Sequence, residues 1–548
     1  MMRVGLVVSA LRTTVRNTDV RRVQLAWGCA IAAEWAHFVA LGIFAYQHGG
    51  TAAVGVAGLV RLLPAAVLAP FAASLGDRFR RERFLLAMMI VGAGALAASA
   101  VAAFAESQAL VFAFAAVIGT SSTLVRPALQ ALLPSLARTP EELIASNGAT
   151  STVEGLGTLF GPLLAGVLVS LASVGVVFVG GAGMLLVAAG VLARVKVEGR
   201  DYLAPVAESE TIGQMIGAGF EAISRAPRPR LLIGLVVAQT FVRGCLNVLI
   251  VVAAFRVLDG SAAQVGYLTA AIGVGGLLGA FGAMTLGGRR LAVVFGAALV
   301  FWGFPIVLIA PGSYLGVALV LLAIVGAANS VEDVAVFTLL QRTVSDDILT
   351  RVLGVLWGLA MGAAAVGSIA APVLVDTVGP RMSFVVVGVI LPLLTVAAHR
   401  RLLEIDRAVA PGPEVELIGR VPMFAPLSIA AKERLAANLV PVEVSAGELV
   451  IQTGDVGDRF YLVAAGELDV DAGGFHTAAR EGDYFGEIAL LRDVPRTATV
   501  TAAVDSQLYA VHRAAFLEAV TGHSAAEAAG QEVATARLAR SGPRQEGV

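Results

Sequence analysis

The stretch Phe485 to Val500, FGEIALLRDVPRTATV, concentrates groups able to grip an anion. Its pattern predicts a short helix opened by Phe-Gly-Glu and a strand closed by Pro-Arg-Thr-Ala-Thr-Val. Backbone N–H groups at a helix start, beside a Gly that permits close approach, form an anion site. Arg496 can fork two donors onto phosphate oxygens. Glu487 is an acceptor suited to a ribose 2′-hydroxyl, as acidic residues are in dinucleotide sites.

A second set of ionisable residues lies inside long apolar runs, where burial of charge is costly and function is the default reading. Glu34 and His37 sit one turn apart on one helix face. Arg126, Glu154, Glu332 and Asp333 complete the set visible at first pass. Apolar surroundings favour the neutral form of a carboxylate, so such a group can take up and release a proton. Exchange of a proton for a substrate needs one carboxylate that binds either, and Glu34 ranks first, Glu154 second, and Asp333 or Glu332 third. For each, a structural ion pair is the competing reading: Glu34 with Arg243, or Glu154 with Arg126.

The elements that position these groups are mostly membrane helices. The chain has 548 residues, of which 57% are hydrophobic and 14% charged, and its mean hydropathy is +0.83. Apolar runs of this length require a bilayer. About twelve spans of roughly twenty residues fall near 22–47, 51–75, 84–105, 108–135, 142–170, 175–195, 231–256, 263–286, 290–310, 314–340, 350–376 and 381–403. Breaks on one side are short and poor in Arg, such as Glu106-Ser107-Gln108 and Pro311-Gly312-Ser313. Those on the other side hold Arg78 to Arg83, Arg138, Arg194 to Arg230, Arg289-Arg290, Arg342 and Arg400-Arg401. Positive charge stays inside, which places both termini in the cytoplasm; the expected location is the plasma (inner) membrane of a bacterium. The net charge of −1 gives no case for nucleic acid. Cys29 and Cys245 form neither a disulfide framework nor a metal site. No motif of an enzyme is present.

The chain repeats with an offset of about 210 residues. Gly50-Thr-Ala-Ala-Val-Gly55 matches Gly260-Ser-Ala-Ala-Gln-Val-Gly266, and Gly157 and Gly161-Pro162 match Gly367 and Ala371-Pro372. The same offset brings Arg243 and Asn247 to the positions of Ala33 and His37, which predicts polar groups on the first helix of each half, facing a central cavity.

Two six-helix halves joined by a polar stretch resemble the major facilitator superfamily. Gly76-Asp77-Arg78-Phe79-Arg80-Arg81 is similar to that family's inner-loop signature, although Ala73, Arg80 and Glu82 depart from it, and the variant resembles the macrolide-efflux-like branch. The resemblance makes Gly76, Asp77 and Arg78 a conformational latch; an ordinary positive-inside loop is the alternative. Gly157-x-x-x-Gly161-Pro162-x-x-Ala165-Gly166 resembles the motif of the family's exporters, and a generic packed, kinked helix reads the same way. After Arg401, short alternating strands punctuated by glycines predict a β-roll. It resembles the cyclic-nucleotide-binding domains, with Phe485–Val500 as their phosphate cassette. The resemblance implies that Gly486 and Glu487 contact ribose and phosphate. Ile488 and Ala489 supply backbone donors, Arg496 holds the cyclic phosphate, and Thr497 and Ala498 complete the cradle.

The expected fold is thus a polytopic α-helical membrane protein with a C-terminal cytoplasmic β-roll. Its order is an N-terminal segment (1–21), a six-helix half (22–195), a linker (196–230), a second half (231–403), a connector (404–414), the nucleotide domain (415–523) and a helical tail (524–548). Gly213 to Arg225 reads equally as an amphipathic helix or a plain linker. The expected activity is proton-coupled export of small lipophilic or amphipathic compounds, regulated by cAMP, with cGMP possible. The alternative is a membrane-anchored nucleotide receptor with a transport-inactive bundle. The expected partners are the lipid bilayer, a cyclic nucleotide, an unidentified small molecule and protons. Both a monomer and a dimer fit.

Overall fold

The computed structural model describes residues 17–68, 81–136, 140–195, 217, 220–221, 223–283, 290–312, 314–344, 346–409, 413–427, 429–522 and 524–541. The chain divides after Val409 into two compact units. The latch residues Gly76, Asp77 and Arg78 lie outside the described residues. Of Gly213 to Arg225, the described residues are helical.

Among the described residues the first unit has 11 helical stretches long and apolar enough to cross a membrane. The first stretch, Thr18–Leu68, is itself two helices, because Gly49 and Gly50 leave helical geometry. Gly50 adopts φ 61° and ψ −154°, a conformation closed to residues with a Cβ, and so makes the tight turn. The helices are α1 (18–48), α2 (51–68), α3 (Arg81–Phe104), α4 (Gln108–Leu136), α5 (Pro140–Leu171) and α6 (Val174–Leu192). The second six are α7 (Pro227–Val252), α8 (Ala262–Ala283), α9 (Leu291–Ile309), α10 (Leu315–Thr343), α11 (Asp346–Val378) and α12 (Pro380–Val409).

Of the helices that run beyond their expected ends, two do so for reasons visible in single side chains. α1 begins at Thr18 because Asn17 Oδ1 accepts the N–H groups of Asp19 and Val20, at 3.1 and 3.3 Å. α12 continues to Val409, past the expected end at 403. Its added turns carry Asp406, whose carboxylate takes the N–H groups of Ala292 and Val293 at 2.7 and 3.0 Å. Those are free donors at the start of α9, so α12 caps its neighbour.

Small residues set the packing. A Cβ on Gly161 would meet Ala32 O at 2.7 Å, and one on Gly157 would meet Ile31 Cγ2 at 2.5 Å. This face of α5 therefore lies directly on α1. One turn beyond, Gly166 faces Ala263 O at 2.8 Å, on α8 of the other half. The repeat reproduces the arrangement: Gly367 of α11 approaches Phe241 O of α7, and Gly55 of α2 approaches Ser368 O of α11. Close backbone approach is the main source of helix association where lipid offers no hydrophobic drive. At the Arg-poor end the halves also meet through Tyr46 and Arg256, 210 positions apart, with Arg256 Nε donating to the Tyr46 hydroxyl at 3.1 Å. Tyr46 stacks on Phe255 with ring centroids 4.6 Å apart.

The second unit begins with α13 (Pro413–Arg420) and α14 (Ile429–Ala437). Eight strands follow: β1 (Val440–Val444), β2 (Leu449–Ile451), β3 (Arg459–Ala465), β4 (Glu467–Ala472), β5 (Phe475–Arg480), β6 (Tyr484–Phe485), β7 (Thr499–Ala502) and β8 (Ser506–His512). They form two antiparallel four-stranded sheets, ordered β1-β8-β3-β6 and β2-β7-β4-β5. α15 (Glu487–Arg492) interrupts the strands, and α16 (Arg513–Thr521) and α17 (Ser524–Ser541) close the unit. Alternation along β3 explains the two-layer core. Phe460 packs on Phe424 and Phe516 under the helices, while Tyr461 stacks on Phe485 between the sheets.

Candidate functional site

All seven residues predicted to cradle a nucleotide line one cavity of about 320 Å3 in the second unit: Gly486, Glu487, Ile488, Ala489, Arg496, Thr497 and Ala498. Sheet residues Ile451, Val470 and Val500 supply an apolar wall. The volume lies within the range of small-molecule sites.

Arg496 is the best-fixed side chain in this cavity. It is 5% exposed, and its guanidinium donates to Gly486 O at 3.0 Å and Arg459 O at 2.7 Å. Asp458 lies 3.5 Å from Nη2. Its backbone is pinned as well, since Arg496 N donates to Asp455 O and Arg496 O accepts from Gly454 N. Burial pulls its pKa down, against the nearby phenol and carboxylates. Gly486 makes this possible: it adopts φ +90°, and a Cβ there would meet Arg496 Nη1 at 2.6 Å. The glycine is required both by backbone geometry and by the arginine's approach.

Glu487 is 1% exposed. Burial pushes its carboxyl up, and Arg537 opposes that shift. Arg537 Nη1 bonds Glu487 Oε1 at 2.9 Å and Tyr484 O at 2.9 Å. Its guanidinium also lies 4.3 Å from the Tyr484 ring centroid. The tail helix therefore reaches the pocket through Arg537, which sequence reasoning missed. The largest apolar groups of this helix are Val533 and Leu538. Val533 packs on the core under the helices, and the side chain of Leu538 lies outside the described residues. The available signal was helical spacing: Arg537 follows Val533 by four, on the same face, and a buried carboxylate demands a cation.

In the membrane unit a second cavity, of about 340 Å3, lies between the halves. Arg126, Glu154, Arg243 and Asn247 line it, with Trp35, Trp302 and Asn329. Arg126 Nη2 pairs with Glu154 Oε2 at 2.8 Å, the ion pair weighed from sequence. The expected placement of Glu34 and His37 on this cavity is corrected. Glu34 turns to Arg61 on α2, at 3.0 Å, rather than to Arg243, and lines a smaller pocket with Trp27 and Ser121. His37 is buried against Phe178, and among the described residues neither ring nitrogen has a hydrogen-bond partner. An offset fixes depth along a helix, but rotation about its axis decides what a side chain meets.

Glu332 is 1% exposed, and its Oε2 has no partner among the described residues. Asp333 accepts from Asn329 Nδ2 at 3.0 Å. The other end of that amide, Asn329 Oδ1, receives Gln239 Nε2 at 3.3 Å, Trp302 Nε1 at 3.2 Å and Arg243 Nη2. Asn329 is a hub that sequence reasoning did not single out.

The profile of the Major Facilitator Superfamily matches residues 25–362. That of the cyclic nucleotide-binding domain matches residues 441–523. Among curated proteins, the cAMP-dependent protein kinase regulatory subunit of Eremothecium gossypii is 39% identical over 103 residues, 18% of this chain and 22% of that protein. That of Yarrowia lipolytica is 45% identical over 85 residues, 15% of this chain and 23% of that protein. The chain thus spans less than a quarter of the length of these relatives. Solved structures similar to it include Sp-2Cl-cAMPS bound to PKAR CBD2, at 23% identity and TM-score 0.21, covering 24% of this chain and 94% of that chain. Another is the regulatory domain of Toxoplasma gondii PKA with cAMP, at 22% identity and TM-score 0.21, covering 22% of this chain and 49% of that chain.

Proposed function

Because the chain belongs to the Major Facilitator Superfamily and carries a C-terminal cyclic-nucleotide-binding domain, we propose that it is a secondary transporter whose conformational balance is set by cAMP. The observation that carries this reading is Arg496: a buried guanidinium held by two carbonyls at the wall of a cavity that Glu487 also lines. A cyclic phosphate would take the arginine's remaining donors, and the ribose hydroxyl would take the glutamate. The kinase regulatory subunits similar to this domain are cAMP-dependent by name, which favours cAMP over cGMP.

Transport by alternating access would use the cavity between the halves. The contacts of Tyr46 with Arg256 and of Gly166 with Gly266 are those of a bundle closed at its Arg-poor end. Positive charge on the opposite side supports a cytoplasmic location for that side and for the nucleotide domain. Export by the macrolide-efflux-like branch, from a bacterial inner membrane, is the finer reading. Its latch would be Gly76, Asp77 and Arg78. In this scheme Glu154 is the carboxylate that takes and releases the proton, since it lines the cavity while Glu34 does not.

The test is intramolecular energy transfer between dyes on the two halves of the full-length protein in liposomes. Saturating cAMP is expected to shift the distance distribution, and Arg496→Ala to abolish the shift while leaving the resting distribution in place. No shift in the wild type refutes regulation and favours a receptor with an inactive bundle.

A further inference from the structure

We propose that the cargo of the central cavity carries one anionic group, a carboxylate or its equivalent, on a flat apolar body, and that Arg243 receives the anion. This rests on the transport reading above and deepens it. Two guanidiniums line the cavity, one from each half, and they differ in what neutralises them. Arg126 is paired with Glu154 at 2.8 Å. Arg243 meets no carboxylate of the described residues within ion-pair distance; its partner is the neutral amide oxygen of Asn329.

That oxygen is oversubscribed. Gln239 Nε2, Trp302 Nε1 and Arg243 Nη2 all converge on it, whereas an amide oxygen offers two lone pairs. Asn329 cannot help by flipping, because its amide nitrogen is already committed to Asp333 at 3.0 Å. The amide oxygen beside Arg243 therefore meets more donors than its lone pairs can serve. A guanidinium has five N–H groups in a planar fork matched to two oxygens. Unsatisfied donors away from bulk water are costly, and a ligand supplying acceptor oxygens removes that cost. Glu332 and Asp333, neighbours of Asn329 on α10, act on Arg243 through charge, but neither forms an ion pair with it among the described residues.

The rest of the lining fixes the body of the cargo. Trp35 and Trp302 lie on the same cavity as Arg243, among Leu246, Ile250 and Leu277. Indole faces and aliphatic ends favour a flat apolar group. At about 340 Å3 the space suits a small compound with one or two rings.

The probes are naphthalene-2-carboxylate, its neutral carboxamide and 2-naphthylmethylammonium, titrated into the full-length protein in detergent by calorimetry. The carboxylate is expected to bind about tenfold or more tightly than the carboxamide, a step of about 1.4 kcal/mol, and the ammonium more weakly than either. Arg243→Gln should bring the carboxylate-to-carboxamide ratio to about one. Asn329→Asp keeps the shape and retains Arg243 but supplies an internal carboxylate, so it too should erase the preference. Thermal unfolding of the bundle in the same samples reports that each variant is folded. Equal binding of carboxylate and carboxamide to the wild type, tighter binding of the ammonium, no binding of any probe, or a preference that survives both variants each overturns the proposal. Failure here leaves the energy-transfer response to cAMP intact, whereas failure of that response leaves these affinities unchanged.

Discussion

Glu487 is the residue whose chemistry is most constrained by its surroundings. Its carboxyl sits above its ordinary range because burial outweighs the help of Arg537. A folded value above the unfolded one means the group contributes most to stability below the unfolded value. That contribution is lost as pH rises through the folded value, at about 1.4 kcal/mol per unit of displacement. Melting of the nucleotide domain within the full-length protein should therefore show a loss of stability across that window that Glu487→Gln lacks. Parallel pH profiles for the two proteins would remove the assigned cause. The cassette itself was legible because its groups lie within one contiguous run, Gly486 to Ala498, whose residue types carry the chemistry. Arg537 was not, because its contact with Glu487 spans 50 positions and depends on how α17 docks.

At the scale of elements, helices are fixed by apolar length but their spacing by what is missing from glycine. Gly161 lets α5 touch α1, where a Cβ would meet Ala32 O at 2.7 Å and Trp35 Cβ at 2.8 Å. Backbone cannot yield as a flexible side chain can, so Gly161→Ala should force the helices apart at a cost of about 1–3 kcal/mol. Gly183 on α6 is the control: a Cβ there meets nothing within 4 Å, and Gly183→Ala should be neutral or slightly stabilising. Thermal unfolding in detergent compares the two, and equal melting temperatures would show that the close approach carries no energy. Twelve apolar runs made the spans readable from sequence. Their ends were less so, because Asn17 and Asp406 each act through a pair of hydrogen bonds that hydropathy does not register. The strands of the roll were readable for the opposite reason, since alternation and turn glycines are both local signals.

For the whole molecule, the repeat carried the architecture, placing α1 and α7 as equivalents whose ends meet at Tyr46 and Arg256. It misled over what the side chains of α1 meet: His37 is buried against Phe178, and Glu34 joins Arg61 within its own half instead of Arg243 across the cavity. Regulation as proposed would add a demand that symmetry does not supply, because two compact units would have to share one equilibrium. Any ligand shifts that equilibrium only by its differential affinity for the two states. If cAMP binding to the roll favours one state of the bundle, a compound held by Arg243 that favours the same state must tighten cAMP by the same factor. For regulation of about 1–3 kcal/mol this is roughly 5- to 150-fold. Calorimetric titration of cAMP, with and without saturating naphthalene-2-carboxylate, is expected to show that change in the wild type. The reverse titration should return the same ratio, because the four binding steps close a cycle. Arg243→Gln should remove the coupling from both directions while leaving the intrinsic cAMP affinity of the Arg496 pocket alone. A change in cAMP affinity that survives in Arg243→Gln would mean that the probe acts at the nucleotide pocket directly. Identical cAMP affinities with and without the probe would mean that the two cavities are energetically separate.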